Sequence, residues 1–360
     1  MLPDMKIQAV LSGTTALSYW RRVSSRGAFG SLTGSVPLAP EDTLADALPR
    51  RMGRPRVEPP SAKVIDRLRA LGIAGEETIH LLVCQREDRR LIEGVACHVC
   101  SLPLPRQSLH PVVMRGRPAE GLYVCCPELA LMQVAGGMDH CELLLTCFEA
   151  CGSYRMQPDG EFSSRCPHLC TPSSLASYVS RAKGLCGRKT MKGVLPLVLQ
   201  GSASPAESRI ALALALPWRL GGSNLGVPKL NQEIALNREA EILHGRDSIT
   251  PDFLFVGSSG KVKLAVEYDS KKYHSAVEQA EYDEKRRNTY AAMGMHCVVL
   301  KPWHLKDMRR FDAVVKSMAR ILGRRAQHLP ADYDNRRWGL LCELLEPWQR
   351  GGWELLALSF

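Results

Sequence analysis

Long hydrophobic runs are missing from this chain of 360 residues. No segment reaches the roughly 18 consecutive apolar residues of a membrane-spanning helix, so we expect no contact with a membrane. The opening stretch, "MLPDMKIQAVLSGTTALSYWRR", lacks the basic start followed by an apolar run that marks a secretory signal. We therefore do not expect a secreted protein, and no internal repeat is visible.

The thirteen cysteines are an odd number and are irregularly spaced, which predicts reduced thiols in a cytoplasmic protein rather than a disulfide framework. Two short spacings, Cys97 with Cys100 and Cys166 with Cys170, leave a structural zinc site as an alternative. If residues 95–104 form a strand, Cys97 and Cys100 point to opposite faces, which disfavours zinc there. No spacing provides a positioned base for a thiol nucleophile.

Hydrophobic residues make up 45% of the chain, which is enough for packed cores, and charged residues are intermixed with them. The length suggests two domains, and the character of the sequence changes near residue 200. We predict an α+β domain over residues 1–200, an α/β domain over 201–325 and a helical extension over 326–360. The formal net charge of +10 and the isoelectric point near 9.0 favour an anionic partner such as nucleic acid.

A charged hairpin is predicted within residues 249–274, "ITPDFLFVGSSGKVKLAVEYDSKKYH". Side chains alternate faces along a strand, so Glu267 and Asp269 point the same way. If Val256 pairs with Lys261, Asp252 lies opposite Ala265, on the same face as Glu267 and diagonal to it. Three carboxylates then gather on one side of the sheet.

Carboxylates this close repel one another, and a divalent cation would remove that repulsion. Oxygen-rich sites suit Mg²⁺ or Mn²⁺, which can activate water and stabilise charge on a phosphodiester oxygen. The alternative is a half-exposed hairpin whose wet face carries carboxylates interleaved with lysines. The "GSSGK" turn does not have the spacing of a phosphate-binding loop, and no helix follows it.

Two neighbouring features bear on this choice. Glu207 stands in "SPAES", where it is either a further carboxylate of the site or only the capping-box residue of a helix that begins after Ser204. In "DEKR", residues 283–286, Asp283 can pair along a helix with Arg286 or Arg287. These arginines are surface ion-pair partners or face phosphates.

Together these motifs resemble the PD-(D/E)XK nuclease superfamily, and within it the branch of the very-short-patch repair endonucleases and related endonuclease-domain proteins. The resemblance covers roughly residues 201–322. It rests on "SPAES", the literal "PD" at 251–252, "EYD" at 267–269, a histidine five residues after Asp269, and "DEKR" followed by Gly294 and "HCVVLK". It implies a restriction-endonuclease-like fold, a mixed sheet flanked by helices.

The resemblance also implies roles for individual residues. Asp252, Glu267 and Glu207 would be ligands of Mg²⁺ or Mn²⁺, Asp269 an additional ligand or water-positioning group, and His274 a general acid or base. The sequence departs from the superfamily at Asp269, where a lysine is usual, and Lys271 is the candidate replacement. The expected activity is metal-dependent hydrolysis of DNA phosphodiester bonds, in DNA repair or in defence against phage and mobile elements.

Two further segments concern partners. Residues 301–325 carry eight Lys or Arg against two Asp, and on a helix the arginines, among them Arg309 and Arg310, are either a solvated face or phosphate contacts. The stretch "LSGTTALSYWR", residues 11–21, resembles the opening of abortive-infection antitoxin proteins. DNA is therefore the expected partner, and a homodimer or a toxin–antitoxin or defence-system partner fits the same resemblance. The competing function is a non-catalytic DNA-binding or antitoxin-like regulator that retains a nuclease fold.

Overall fold

The structure is a computed structural model that describes residues 7–25, 57–73, 78–114, 116–257, 262–269, 276–324 and 329–345. The chain divides into two compact units, Met1–Val198 and Leu199–Phe360. Both are mixed α/β, with open mixed sheets flanked by helices, so the predicted α/β class is confirmed. The second unit includes the helical segment that the sequence suggested as a separate extension from residue 326. No helix in the described residues is long and apolar enough to cross a membrane.

The first unit contains a five-stranded sheet in the order β3-β2-β1-β5-β4. The strands of this sheet are β1 (Ala9–Leu11), β2 (Ile79–Val83), β3 (Val95–Val99), β4 (Leu109–Met114) and β5 (Arg117–Cys125). A separate small hairpin is formed by β6 (Tyr154–Met156) and β7 (Phe162–Ser164). Its helices are α1 (Gly13–Ser25), α2 (Ala62–Ala70), α3 (Pro127–Val134), α4 (His140–Cys151), α5 (Pro172–Arg181) and α6 (Arg188–Val194). β1 runs parallel to β5 and β2 parallel to β3, and the other neighbours are antiparallel.

The sequence pattern of residues 9–22 favours a single helix, but the chain forms a strand before the helix begins. β1 occupies the first residues because Leu11 pairs with both Leu81 and Val124 and is fully buried, so it sits in the middle of the sheet. Gly13 then has φ +50°, which favours glycine and turns the chain out of the strand into α1. Tertiary burial therefore overrides the helical pattern here.

The second unit contains a four-stranded sheet in the order β13-β12-β11-β8, and a separate two-stranded pair. Its strands are β8 (Lys229–Leu230), β9 (Ile234–Ala235), β10 (Ser248–Ile249), β11 (Phe253–Val256), β12 (Val262–Tyr268) and β13 (His296–Leu300). Its helices are α7 (Pro205–Ala215), α8 (Arg238–His244), α9 (Ala276–Ala292), α10 (Pro302–Leu305), α11 (Met308–Ile321) and α12 (Tyr333–Leu345). β12 and β13 are parallel, and β11 is antiparallel to both β12 and β8.

The order of α9, a glycine and β13 matches the prediction from sequence. Gly294 has φ +65°, a backbone conformation that ends the helix and leads into the strand. The next residue, Met295, is buried in the hydrophobic core. α9 contributes Tyr290 to an apolar cluster that also contains Leu254 and Ala265 of the sheet. The helix therefore covers the same sheet face on which the sequence places the carboxylates.

Candidate functional site

The hairpin of β11 and β12 has a different register from the predicted one. Phe253 pairs with Val266 and Leu254 with Ala265, whereas Val256 pairs with Val262 instead of Lys261. The register also shifts once more between Phe255 and Val256, where β12 carries an extra residue. Together the two changes shift the pairing of Asp252 by two residues relative to the predicted register. Because side chains alternate with a period of two, each side chain stays on its predicted face.

Asp252 consequently lies beside Glu267 and not opposite Ala265. Continuing the pairing of Phe253 with Val266 by one residue brings the two carboxylates together. The backbone N–H of Tyr268 donates to Oδ2 of Asp252 over 2.6 Å, which fixes the carboxyl group at the edge of β12. Predicted as a diagonal pair, the two acids are direct neighbours.

Burial and like charges act together on Asp252. Desolvation is the largest cause of a rise of its pKa to about 7, and the negative charges of Glu267 and Glu207 raise the pKa further. The Tyr268 hydrogen bond and the positive charge of Arg286 only partly oppose this. The carboxylates of Glu267 and Glu207 are thus close enough to Asp252 to disfavour its charged form.

Glu267 is held by two side chains of α9. The guanidinium of Arg286 forms an ion pair with Oε1 of Glu267, and the hydroxyl of Tyr290 donates to the same oxygen. Both members of the ion pair are largely buried, with 17% and 13% of their side-chain surface exposed. Burial raises the pKa of Glu267 while Arg286 and Tyr290 lower it. The predicted "DEKR" arginine therefore contacts the acid of β12.

Glu207 takes part in the cap of α7, without the bond from the N-cap N–H that completes a capping box, and its charge also acts on Asp252. Its backbone N–H donates to Oγ of Ser204, which in turn donates to Oε1 of Glu207. The side-chain amide of Asn231 donates to Oε2 over 2.6 Å, and the N–H of Ala203 donates to the same oxygen. The two interpretations of Glu207 are therefore compatible, because the cap places a buried carboxylate within electrostatic reach of Asp252.

Lys301 is a cation that the sequence patterns did not single out. Its Nζ lies 3.7 Å from Oδ2 of Asp269, and the backbone N–H of Asp269 donates to the carbonyl of Leu300. Tyr268 pairs with Leu300 across the parallel strands β12 and β13, so the next residue of each strand also meets. The signal was available: "HCVVLK" read as a parallel neighbour of "AVEYD" aligns the terminal lysine with the aspartate.

The remaining predicted site residues fall into two groups. His274, Lys271 and the side chain of Asp283 lie outside the described residues. Arg287 follows Arg286 on α9 and is exposed. Arg309 and Arg310 are exposed in the first turn of α11, where the backbone N–H of each donates to Oδ1 of Asp307 and Nε of Arg310 lies 3.3 Å from Oδ2 of the same residue.

One exposed aromatic residue lies next to this basic turn. The guanidinium of Arg310 lies over the ring of Trp303, 5.3 Å from its centroid, and the ring of His304 stacks on Trp303 at a centroid distance of 3.6 Å. Trp303 is 48% exposed and follows Lys301 by two residues. Trp303, His304 and Arg310 therefore form an aromatic and cationic surface in the residues that follow Lys301.

Within the parts of the chain that the structure describes, no group of three or more His, Cys, Asp or Glu side chains is arranged to hold a metal ion. This covers the zinc alternative as well: the Sγ of Cys97 and of Cys100 lie against backbone carbonyls, and the Sγ of Cys170 lies 3.7 Å from that of Cys151. The acidic cluster has the composition of a cation site, but Arg286 already neutralises Glu267.

Similarity to known proteins adds nothing to this geometry. Comparison of the chain with protein-family models, with curated proteins and with solved structures finds no match. The resemblance to the PD-(D/E)XK nucleases therefore rests on the order and spacing of the sequence motifs, and the chemistry of the site rests on the contacts described above.

Proposed function

We propose that the second unit is a metal-dependent endonuclease of restriction-endonuclease-like fold that hydrolyses phosphodiester bonds in DNA. The observation that carries the proposal is the position of Asp252, whose carboxyl group lies beside Glu267 and within the field of Glu207 and has its pKa raised to about 7. Structural carboxylates usually gain hydrogen bonds that lower the pKa. A carboxyl group held against two like charges is typical of a site that receives a cation.

The three acids have the donor chemistry of a site for a hard divalent cation, because all of them offer oxygen and burial beside like charges disfavours the charged form of Asp252. In the described residues they are not arranged as a three-ligand site and Arg286 pairs with Glu267, so cation binding would require Glu267 to leave Arg286. Asp252 and Glu267 would hold Mg²⁺ or Mn²⁺, with Glu207 as a third carboxylate. The bound ion would supply Lewis-acid activation of water and of the phosphodiester.

The neighbouring side chains can position the substrate. Arg286 bridges the acidic cluster and the backbone carbonyl of Thr250, so it can turn from Glu267 toward a phosphate oxygen. Lys301, next to Asp269, supplies a cation near the position where the superfamily has its lysine. Its charge can stabilise the negative charge that develops on the reacting phosphate.

The surface of Trp303 and Arg310 suits a nucleic-acid strand. Exposed aromatic rings stack on unpaired bases and arginines contact the backbone, a combination that binds single strands with little sequence preference. Arg309 on the same turn adds a phosphate contact. DNA is therefore the proposed partner of the second unit. For the first unit we propose binding of DNA or of a partner, or regulation of the nuclease.

The test is incubation of the full chain with supercoiled plasmid and with single-stranded DNA, in Mg²⁺, in Mn²⁺ and in chelator. We expect metal-dependent nicking that is lost in Asp252→Asn and in Glu267→Gln, while Lys316→Gln on an exposed part of α11 cleaves like the wild type. DNA binding without cleavage under every metal condition would refute the enzyme.

A specific contact favours the second candidate, a non-catalytic DNA-binding or antitoxin-like regulator. The guanidinium of Arg286 occupies Glu267 in the manner of a permanent counter-ion. If this ion pair persists in the presence of Mg²⁺ and DNA, the fold binds nucleic acid but has lost the cation. A gel-shift experiment in chelator measures DNA binding, and the plasmid assay measures cleavage. A gel shift together with cleavage in Mg²⁺ or Mn²⁺ supports the enzyme, whereas a gel shift without cleavage in either metal supports the regulator.

A further inference from the structure

A polar cavity of about 370 Å³ opens beside the acidic cluster, within the second unit. The residues that line it include His244, Arg246, Lys285, Arg286, Glu233 and Ser248. Its volume falls in the range of small-ligand sites, roughly 300–1,000 Å³, but its lining is mostly charged or polar. The cavity therefore suits a small, strongly polar ligand and not an apolar one.

The charges in this cavity are unbalanced. Three cationic side chains and a histidine face a single carboxylate, Glu233, which already accepts a hydrogen bond from the hydroxyl of Ser248. Among the described residues, neither Arg246 nor Lys285 forms an ion pair with an acid. Nζ of Lys285 lies 3.8 Å from the position that a Cβ on Gly245, the residue before Arg246, would occupy. The positive charges that line the cavity outnumber the single carboxylate, which favours binding of an anion.

His244 provides an independent sign of a missing ligand. Its Nδ1 is buried and has no hydrogen-bond partner in the described part of the chain. Buried polar atoms in proteins are nearly always bonded, so Nδ1 favours a small turn of the imidazole toward a partner, and the cavity that His244 lines is the adjacent polar space. Burial, and then the positive charges of Lys285, Arg286 and Arg246, lower the pKa of the imidazole.

Arg286 connects the cavity to the acidic cluster. One side of its guanidinium binds Glu267, and the residue also lines the cavity beside Thr250. A ligand in the cavity and a ligand at Asp252 and Glu267 therefore lie on either side of one side chain. Arg286 is therefore shared by the two positions.

We propose that this cavity is a phosphate subsite that binds a backbone phosphate of the nucleic-acid strand next to the phosphodiester held at Asp252 and Glu267. The position of the neighbouring phosphodiester rests on the proposed function, whereas phosphate binding in the cavity does not. Arg246 and Lys285 supply the charge, and the imidazole of His244, once turned so that Nδ1 faces the cavity, supplies a hydrogen bond. A polynucleotide phosphate and free phosphate share this chemistry, and the experiment separates them.

The test uses NMR titration of the His244 imidazole in the full chain, with inorganic phosphate and with a short single-stranded oligonucleotide as probes. In the wild type each probe should raise the pKa of His244, because an anion stabilises the imidazolium. The double variant Arg246→Gln/Lys285→Gln should show neither response, and the matched control Lys316→Gln should show both. In the double variant, the salt-dependence slope of oligonucleotide binding should also fall by roughly 0.7 for each phosphate that is no longer neutralised.

The outcomes separate this proposal from the nuclease. If no metal supports cleavage but the oligonucleotide still raises the pKa of His244, the subsite stands and the proposed function fails. If the double variant cleaves DNA with unchanged salt dependence and His244 ignores both probes, the subsite is overturned and the nuclease stands. A response to inorganic phosphate that the oligonucleotide neither reproduces nor displaces would also overturn it, because the cavity would then serve free phosphate.

Discussion

Arg286 forms its ion pair with Glu267, the acid of β12 that lies directly beside Asp252. The same carboxylate is thus the natural counter-ion of a guanidinium and a natural ligand of a divalent cation. Tyr290 donates to the oxygen that Arg286 binds, so α9 holds the acid from two positions one helical turn apart. The guanidinium of Arg286 and a divalent cation would therefore compete for the carboxylate of Glu267.

The repulsion around Asp252 makes stability depend on pH. The folded-state pKa of about 7 lies above the ordinary value of 3.8, so the folded protein holds a proton that the unfolded chain releases. Stability is unaffected below about pH 4, falls between pH 4 and 7, and carries the full penalty above pH 7. A shift of this size corresponds to about 4 kcal/mol at most, and partial solvent access reduces it.

Asp252→Asn removes the titrating group but keeps an oxygen for the N–H of Tyr268. In metal-free urea unfolding, we expect the variant to be more stable than the wild type at pH 8 and equal to it at pH 4. A gain that is the same at both pH values would contradict this origin.

Replacing Arg286 should make the site more responsive to metal. In chelator, Arg286→Gln removes a buried ion pair, and we expect the free energy of unfolding to fall by about 1–3 kcal/mol. Added Mg²⁺ should recover more stability in the variant than in the wild type, because the cation no longer competes with a guanidinium. Thermal melts across an Mg²⁺ series measure this. The exposed neighbour Arg287→Gln is the control, and an identical Mg²⁺ response in all three proteins would argue against a cation at Glu267.

Glu207 can be separated into its two roles. Glu207→Gln keeps a side chain that can accept hydrogen bonds but removes a negative charge, so the pKa of Asp252 should fall. Ser204→Ala removes the cap, costs about 1 kcal/mol of stability and leaves the charge near Asp252 in place. Carboxyl NMR titration of Asp252 in the two variants tests this, and a pKa that follows the cap and not the charge would refute the electrostatic role.

Trp303 should contribute to single-strand binding. Trp303→Ala removes a stacking surface, and we expect the binding free energy for a single-stranded oligonucleotide to weaken by about 1–3 kcal/mol. Trp338, exposed on α12, is the matched control, and Trp338→Ala should bind like the wild type. Fluorescence anisotropy gives the affinities. Equal effects in both variants would indicate a nonspecific cause.

Two adjacent arginines of α12 should differ sharply in stability. Arg337 is almost fully buried and donates to Asp312 and to the carbonyls of Ala213 and Gly221. Arg337→Ala should cost about 3–5 kcal/mol, since it leaves an acid and two carbonyls without this donor. Arg336 pairs with Asp332 at the surface, and Arg336→Ala should cost less than about 1 kcal/mol. Urea unfolding of both variants measures the contrast.

The faces of the hairpin could be predicted from sequence because alternation depends only on the chain itself. The pairing of Asp252 could not, because register depends on an extra residue in β12 that no local pattern indicates. The same limit applies to Lys301, which meets Asp269 only once β13 is known to run parallel to β12. The burial of Leu254 and Ala265 on the acidic face depends on the packing of α9, which is a tertiary fact. The likeness of the motifs to a nuclease superfamily stays a prediction.

The extra residue in β12 has a consequence for how this chain can tolerate change. Near Phe255, β12 already has one residue more than the segment of β11 with which it pairs. A single-residue insertion in the connection after Val256 would therefore meet a place where pairing is already interrupted, before it reaches Phe253 and Val266. The pairing of Asp252 with Glu267 lies beyond this irregularity, on the side away from the connecting segment.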